Sequence, residues 1–439
     1  MSEINFDGLI GPTHNYSGLS EGNNASKKNY SSPSNPKNAA LQGIKKVETL
    51  IACGLEQGFF LPHERPFIPG LKKLGFNGTD EEILSSAFNH SKVLLSNFSS
   101  ASSMWAANAA TISPSPDTQD NKIHLTPANL NTMFHRSIET EFTYQQCKII
   151  FPKEYFEIHN PAVTISGYGD EGAANHLRIS KSHNEKGFEI FVYGESGFKA
   201  VKKSVKRQAL EVSRSIAFNH KLDVQNTFFL QQNHQAVEEG SFHNDIVSLS
   251  NENVFIAHEK AFQNKDDLNE MLKILESKID NFQYIEISNS EIPLKDIISS
   301  YLLNSQLITN SDNEMQLILP EEVKQYENCM SWLDKLKQIS DVKLFDFVDI
   351  RQSMMNGGGP ACLRLKVILN DKELDSLNQN FIMNNERLES IKSLIEREYR
   401  DVLHPDDLKD PNLLDECRRI LDELTQIFGT GSIYEFQKL

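Results

Sequence analysis

The segment Asn356-Gly357-Gly358-Gly359-Pro360-Ala361-Cys362 ends a glycine run on a cysteine, at the start of a strand-like stretch. Glycines let a backbone approach a ligand closely and adopt positive φ. A cysteine at such a loop–strand junction is well placed as a nucleophile. The same residues also fit a tight turn with a cysteine packed at a strand start, and this segment alone leaves both readings open. A free thiol ionises near pH ~8.5, so a nucleophilic cysteine needs a base or a cationic neighbour. Of the thirteen histidines, His243 stands out within Gly240-Ser241-Phe242-His243-Asn244-Asp245. Alternation in an extended chain would turn His243 and Asp245 to one side. A surface hairpin histidine with an Asx turn is the alternative.

A third segment, Gly167-Tyr168-Gly169-Asp170-Glu171-Gly172-Ala173-Ala174-Asn175-His176, follows the strand-like run Ala162–Ser166. Its G-x-G-x-x-G spacing suggests a dinucleotide site. However, Asp170 and Glu171 would set two negative charges where a pyrophosphate must lie, and the stretch after it is a poor crossover helix. A metal site drawn from Asp170, Glu171, His176, His243 and Asp245 lacks the spacing of two histidines on one helical face. Carboxylates in a glycine-rich turn better suit a cationic ligand or the orienting of a histidine. A thiolate, an imidazole and several carboxylates together suit a guanidinium, which carboxylates clamp through paired hydrogen bonds.

The elements that must position these groups alternate along the chain. Asn35-Pro36 caps a helix whose stripe is Leu41, Ile44, Val47 and Ile51, ending at Gly54. Thr79-Asp80-Glu81-Glu82 is a capping box opening another. Further helical patterns cover Lys202–Phe218, Lys265–Ile279, Leu294–Leu307, Glu321–Ile339 and Leu388–Tyr399, and a last one runs from Asp410-Pro411 to Gly429. Strands are expected at Lys122–Leu125, Ala162–Ser166, Phe188–Tyr193, Thr227–Gln231, Ile246–Leu249, Val254–His258, Tyr284–Ile287, Gln316–Leu319, Lys343–Phe347 and Cys362–Ile368. This is an α/β or α+β pattern. Phe134-His135-Arg136 faintly echoes Phe242-His243-Asn244, which leans toward a repeated, propeller-like unit. Glu21–Asn35 reads as one long polar loop.

Lys and Arg number 44 against 60 Asp and Glu, a net charge of −16. That field disfavours nucleic acid and anionic membranes as partners. No stretch approaches the roughly 20 apolar residues of a membrane span, and Met1 to Gly18 lacks a signal-peptide pattern. The five cysteines have no C-x-x-C pair, which fits a reducing cytoplasm.

Taken together, the three segments resemble the N-succinylarginine dihydrolase family of the guanidino-group-modifying (pentein) superfamily. The likeness runs nearly end to end. It also takes in Asn5-Phe6-Asp7-Gly8-Leu9, Pro62-His63-Glu64-Arg65-Pro66-Phe67-Ile68-Pro69, Ala106-Ala107-Asn108-Ala109-Ala110-Thr111-Ile112 and Phe134-His135-Arg136-Ser137. The resemblance implies an α/β five-fold pseudosymmetric propeller, as a single catalytic domain over residues 1–439. It implies Cys362 as nucleophile, His243 as general acid/base and Glu171 as the carboxylate orienting it, with Asp245 and Asn108 at the guanidino end. Substrate contacts are implied for Ser17, Gly18, Leu19, Ser20, Glu21, Gly22, Asn23, Asn24, Ala25 and Ser26, and for His135, Arg136, Arg207 and Asn356. Arg207 sits beside the divergent Ser204–Lys206. Two hydrolyses without metal or cofactor, and a homodimer, follow from the same likeness. A single-step deiminase, an amidinotransferase and an inactive guanidino-binding protein are the competing expectations.

Overall fold

The computed structural model describes residues 1–196 and 207–438. Its described residues form five three-stranded sheets of one design. In each, the first strand pairs antiparallel with the second, and the second pairs parallel with the third. One sheet joins β1 (Ser2–Gly8) and β2 (Glu56–Phe60) to a strand from the far end of the chain. The next holds β3 (Ala110–Ser113), β4 (Ile123–Pro127) and β5 (Phe156–Ile158). Then come β6 (His176–Ile179), β7 (Phe188–Tyr193) and β8 (Thr227–Gln231), followed by β9 (Ser248–Asn251), β10 (Val254–His258) and β11 (Gln283–Ile287). The last holds β12 (Gln306–Thr309), β13 (Met315–Pro320) and β14 (Val342–Val348), leaving β15 (Arg364–Leu369) to pair with β1.

A parallel pair needs a crossover, and a helix supplies it each time. These are α1 (Pro36–Ala52), α2 (Thr140–Ile150), α3 (Leu210–Asn219), α4 (Lys265–Lys278) and α5 (Glu327–Ile339). The unit is therefore strand–strand–helix–strand, five times over. Its first module borrows its first strand from β15, which closes the ring. The first strands lie inward, with β9 against both β6 and β12.

Local chemistry accounts for the helices. The Asn35 side chain accepts from Asn38 N at 2.7 Å and Pro36 opens α1. Ala40, Ile44, Val47 and Leu50 bury one face of α1 under the first sheet. Lys46, on the same helix, reaches the buried Asp7 carboxylate of β1 at 2.5 Å, so removing either partner would strand a buried charge. The segment Pro62–Pro69 anchors the C-terminal part of the chain. Glu64 meets Arg418 at 3.0 Å, and Pro62 O accepts from Tyr434 at 2.7 Å.

Several expectations need correction. Ala162–Ser166 is no strand but a surface loop with Val163 and Ile165 exposed; its apolar alternation pairs with no strand among the described residues. The helix expected over Leu294–Leu307 stops at Ser300, because Tyr301 takes a left-handed φ of 56°. The chain then forms a 3-10 turn and β12. The polar stretch Glu21–Asn35 holds a short helix, Asn24–Lys28, capped by Asn23. Residues 202–206 of another expected helix fall outside the described residues; from Leu210 it is helical.

Candidate active site

The five modules present their turns to a common centre. The residue five positions ahead of the first strand is Trp105 before Ala110, Glu171 before His176, and His243 before Ser248. It is Tyr301 before Gln306 and Gly359 before Arg364 in the remaining two. Two positions ahead of the strand stand Asn108, Asn304 and Cys362. Five hydrogen bonds tie these turns into a closed circle. Ala107 N donates to Cys362 O at 3.1 Å, Asn108 Nδ2 to Glu171 O at 2.7 Å, and Asn244 N to Asn175 Oδ1 at 3.2 Å. Asn304 Nδ2 donates to Asp245 O at 3.1 Å, and Ala361 N to Asn304 O at 3.0 Å.

Glu171 is the hub of a buried polar network. Its Oε2 accepts from His243 Nε2 at 2.8 Å and Arg136 Nη1 at 3.2 Å, while Oε1 accepts from Thr132 Oγ1 at 2.8 Å. Burial pushes this carboxyl upward, but the His243 hydrogen bond and the Arg136 charge outweigh it and hold Glu171 well below the usual range. An Nε2–H bond to the carboxylate fixes the imidazole tautomer. It leaves Nδ1 as the free base, buried and without a hydrogen-bond partner. Burial brings His243 down to about 4 despite the upward pull of Glu171. The ring is therefore neutral until charge develops beside it. His243 and Asp245 do not alternate along a strand as expected. His243 caps a 3-10 turn that contains Asp245, and the turn rather than a pleat brings both inward.

Asp170 does not share this role. Its Oδ1 accepts from Gly172 N at 3.2 Å and Gln208 Nε2 at 3.1 Å, and Gln208 Oε1 in turn accepts from Glu171 N at 2.7 Å. Asp170 and Gln208 thus shape the turn that aims Glu171. With no strand before it and a 3-10 turn after it, the G-x-G-x-x-G segment also lacks the crossover of a dinucleotide site. Among the described residues no group of three or more His, Cys, Asp or Glu is arranged for a metal ion.

Cys362 lies in the turn before β15, not in the strand, and only 3% of it is exposed. Its thiol donates to Asp245 Oδ2 at 3.4 Å. Burial and the Asp245 charge push this thiol well above its ordinary value. Burial likewise raises Asp245 to about 7, against hydrogen bonds from Cys362 and Asn304. Burial favours the protonated form of both groups, and a cation docked between them would favour the ionised forms. The glycine run permits the approach: Gly357 has φ 103°. A Cβ there would strike Asn23, one at Gly358 the Trp105 indole, and one at Gly359 Asn304.

The site also holds buried donors. Arg136 Nε and Nη2, Arg207 Nε and Trp105 Nε1 have no hydrogen-bond partner among the described residues, which is what a polar ligand would satisfy. Arg207 stacks on Phe242 at 4.5 Å and donates to Glu21 O at 2.9 Å. Burial lowers it to about 10, so it stays cationic. His135 lies 3.4 Å from Ser20 Oγ. Asn356 accepts from Ser26 Oγ at 3.0 Å, and its carbonyl from Asn23 Nδ2 at 2.9 Å. Ser17, Gly18, Leu19, Ser20, Asn23 and Ser26 face the small cavity beside Trp105, His135 and Asn356; Glu21, Gly22, Asn24 and Ala25 do not line it. Asn108 gives one Nδ2 hydrogen to the Glu171 carbonyl, which leaves its Oδ1 and its second N–H for a ligand.

Sequence reasoning missed Thr132, Asn304, Trp105 and Gln208. For Trp105 and Asn304 the one available signal was position relative to the first strand of the module, which is invisible while that strand is unassigned; Thr132 and Gln208 lie outside that register. Thr132→Val is expected to lower kcat about ten- to hundredfold, the worth of one hydrogen bond to a charged group. KM should hold, and steady-state kinetics would check both.

A family model for succinylarginine dihydrolase matches residues 1–437. N-succinylarginine dihydrolases of Acinetobacter baumannii and Aliivibrio fischeri are 45% and 46% identical to this chain, covering 99% of each partner. In shape the chain is similar to the N-terminal domain of ArgZ, a cyanobacterial arginine dihydrolase. That match has a TM-score of 0.52 and 13% identity, covering 84% of this chain and 98% of that one. AgrE, solved with ornithine and NAD+, matches with TM-score 0.52 and 12% identity over 84% of this chain and 40% of its own. The fold is accordingly the five-fold pentein propeller. The chain belongs to the succinylarginine dihydrolase family.

Proposed function

We propose that this protein hydrolyses N-succinylarginine twice, with Cys362 as nucleophile, His243 as acid and base, and Glu171 orienting His243. The observation that carries the assignment is the buried Glu171–His243 pair at 2.8 Å, with Nδ1 unpaired, in one site with the Cys362–Asp245 contact at 3.4 Å. The substrate guanidinium pairs with ionised Asp245, and its charge favours the thiolate. Sulfur attacks the guanidino carbon; His243, carrying the thiol proton, gives it to the departing nitrogen, and ammonia leaves. Water adds to the amidino-thioether, His243 takes its proton, and the C–S bond breaks to give the ureido compound. In the second round sulfur attacks the ureido carbon and a second ammonia leaves. Water then cleaves the thiocarbamate to a carbamate, which loses carbon dioxide to give N-succinylornithine. No metal or cofactor takes part in these steps.

The neutral ureido intermediate no longer pairs with Asp245. Arg136, Arg207 and the Ser17–Ser26 loop keep their hold on the succinyl and α-carboxylate groups, which the chemistry does not change. The test is stoichiometry. Two ammonia per N-succinylarginine, use of added succinylcitrulline and very poor use of free arginine are expected. A plateau at one equivalent, with succinylcitrulline left untouched, would show a deiminase instead.

Protonation of Asp245 sets the acid limb. Its carboxyl, raised to about 7 in the free enzyme, is neutral below that pH and cannot pair a guanidinium. The profile of kcat/KM should fall about tenfold per unit below about pH 7, since this ratio reports free-enzyme ionisations. Asp245→Asn should give a lower but flatter profile. We also read the enzyme as a cytoplasmic homodimer, a reading supported by the family resemblance; sedimentation would test the dimer. Among the described residues no helix is long and apolar enough to cross a membrane.

A further inference from the structure

The axis of the propeller is not filled. Between the first strands of all five modules lies a cavity of about 140 Å³. At one end its wall is Ala107, Ala174, Ala361 and Asp245, from the turns that carry the site. At the other it is Arg178, Glu252 and Lys366, further along the same strands. The Lys366 side chain is 25% exposed, so this far end meets water. The middle is mixed, with Ile112, Leu249 and Leu307 beside His176, Ser250 and Arg364. Asp245, which accepts the Cys362 hydrogen bond, borders the cavity directly.

The space on the substrate side is different. Under the Ser17–Ser26 loop it measures about 20 Å³, little more than the roughly 10–15 Å³ that one water needs. In the double hydrolysis proposed above, two waters must reach the carbon and two ammonia molecules must leave while the succinyl tail stays under that loop.

We propose that the axial cavity is a conduit for small neutral molecules, passing ammonia outward and water inward between Cys362 and the opposite face. The proposal rests on the dihydrolase reading. A passage of this size admits ammonia, water and carbon dioxide but not the substrate. Ammonium and larger cations are disfavoured, because a buried passage costs them hydration.

Ser250, on β9, lines the cavity outside the catalytic groups. Ser250→Phe should lower kcat at least about tenfold with KM unchanged, because water access and ammonia release then limit turnover. More ureido intermediate should escape, and Ser250→Ala should behave as wild type. A second measurement needs neither a variant nor turnover. With N-succinylornithine bound, hydrogen peroxide should still oxidise Cys362 at a rate within about fivefold of the free enzyme, since thiol oxidation follows access, while N-ethylmaleimide is shut out. A folded Ser250→Phe enzyme with wild-type kcat, or peroxide excluded as fully as the maleimide, overturns the conduit. Wild-type enzyme that stops at one ammonia overturns the dihydrolase reading instead, and the peroxide comparison still decides the conduit.

Discussion

Cys362→Ala is expected to abolish turnover, by several orders of magnitude as nucleophile deletions do, while the protein folds and still binds N-succinylarginine. The thiol sits in a turn, and the turn is held by backbone bonds from Ala107 N to Cys362 O and from Ala361 N to Asn304 O, which alanine keeps. Alanine also removes the thiol hydrogen bond to Asp245, so the carboxylate is freer to pair with the guanidinium. Calorimetry should therefore find binding no weaker than an order of magnitude from wild type, and denaturation should find an unchanged fold. Turnover within about tenfold of wild type would remove Cys362 from the chemistry.

Glu171→Gln is expected to cost both catalysis and stability. A glutamine cannot accept at once from His243, Arg136 and Thr132 as the carboxylate does. Arg136, of which 1% is exposed, would keep a buried charge with its partner gone, a loss of about 3–5 kcal/mol. His243 would lose both its fixed tautomer and the charge that favours its protonated form. Turnover should drop by orders of magnitude, and the thermal midpoint should drop with it. Asp170→Asn is the counterpart. Its oxygen can still accept from Gly172 N and Gln208, so its turnover should remain within about an order of magnitude of wild type. If Asp170→Asn were crippling and Glu171→Gln silent, the orienting role would pass to Asp170.

The site was legible in the sequence where glycines and polar groups crowd together. Gly357–Gly359 before Cys362, and the turns around Glu171 and His243, are dense in residues that make poor strand or helix and so mark themselves. Capped amphipathic helices such as α1 and the Thr79 capping box were equally plain. The inner strands β3, β6 and β12 were not, and the expected Ile246–Leu249 reached only the first half of β9. β6 reads His-Leu-Arg-Ile, four residues with polar side chains toward the axis, against the usual strand pattern. Their absence hid the five-fold order, because equivalent turn positions hold Trp105, Glu171, His243, Tyr301 and Gly359, residues with nothing in common except place. Ala162–Ser166 failed for the converse reason. It has strand-like residues but pairs with no strand among the described residues, and pairing rather than propensity decides.

The pairing of β15 with β1 also sets the order in which the molecule gains its function during synthesis. The proposed acid–base pair comes from modules whose strands are complete by the time Gln283–Ile287 has been made. The proposed nucleophile belongs to the first module, yet that module stays one strand short until the ribosome has passed Leu369. A nascent chain can therefore display its amino terminus, all five crossover helices and both Glu171 and His243 before Cys362 is made. The proposed nucleophile arrives with the strand that shuts the circle, so the step that closes the ring is the step that arms it.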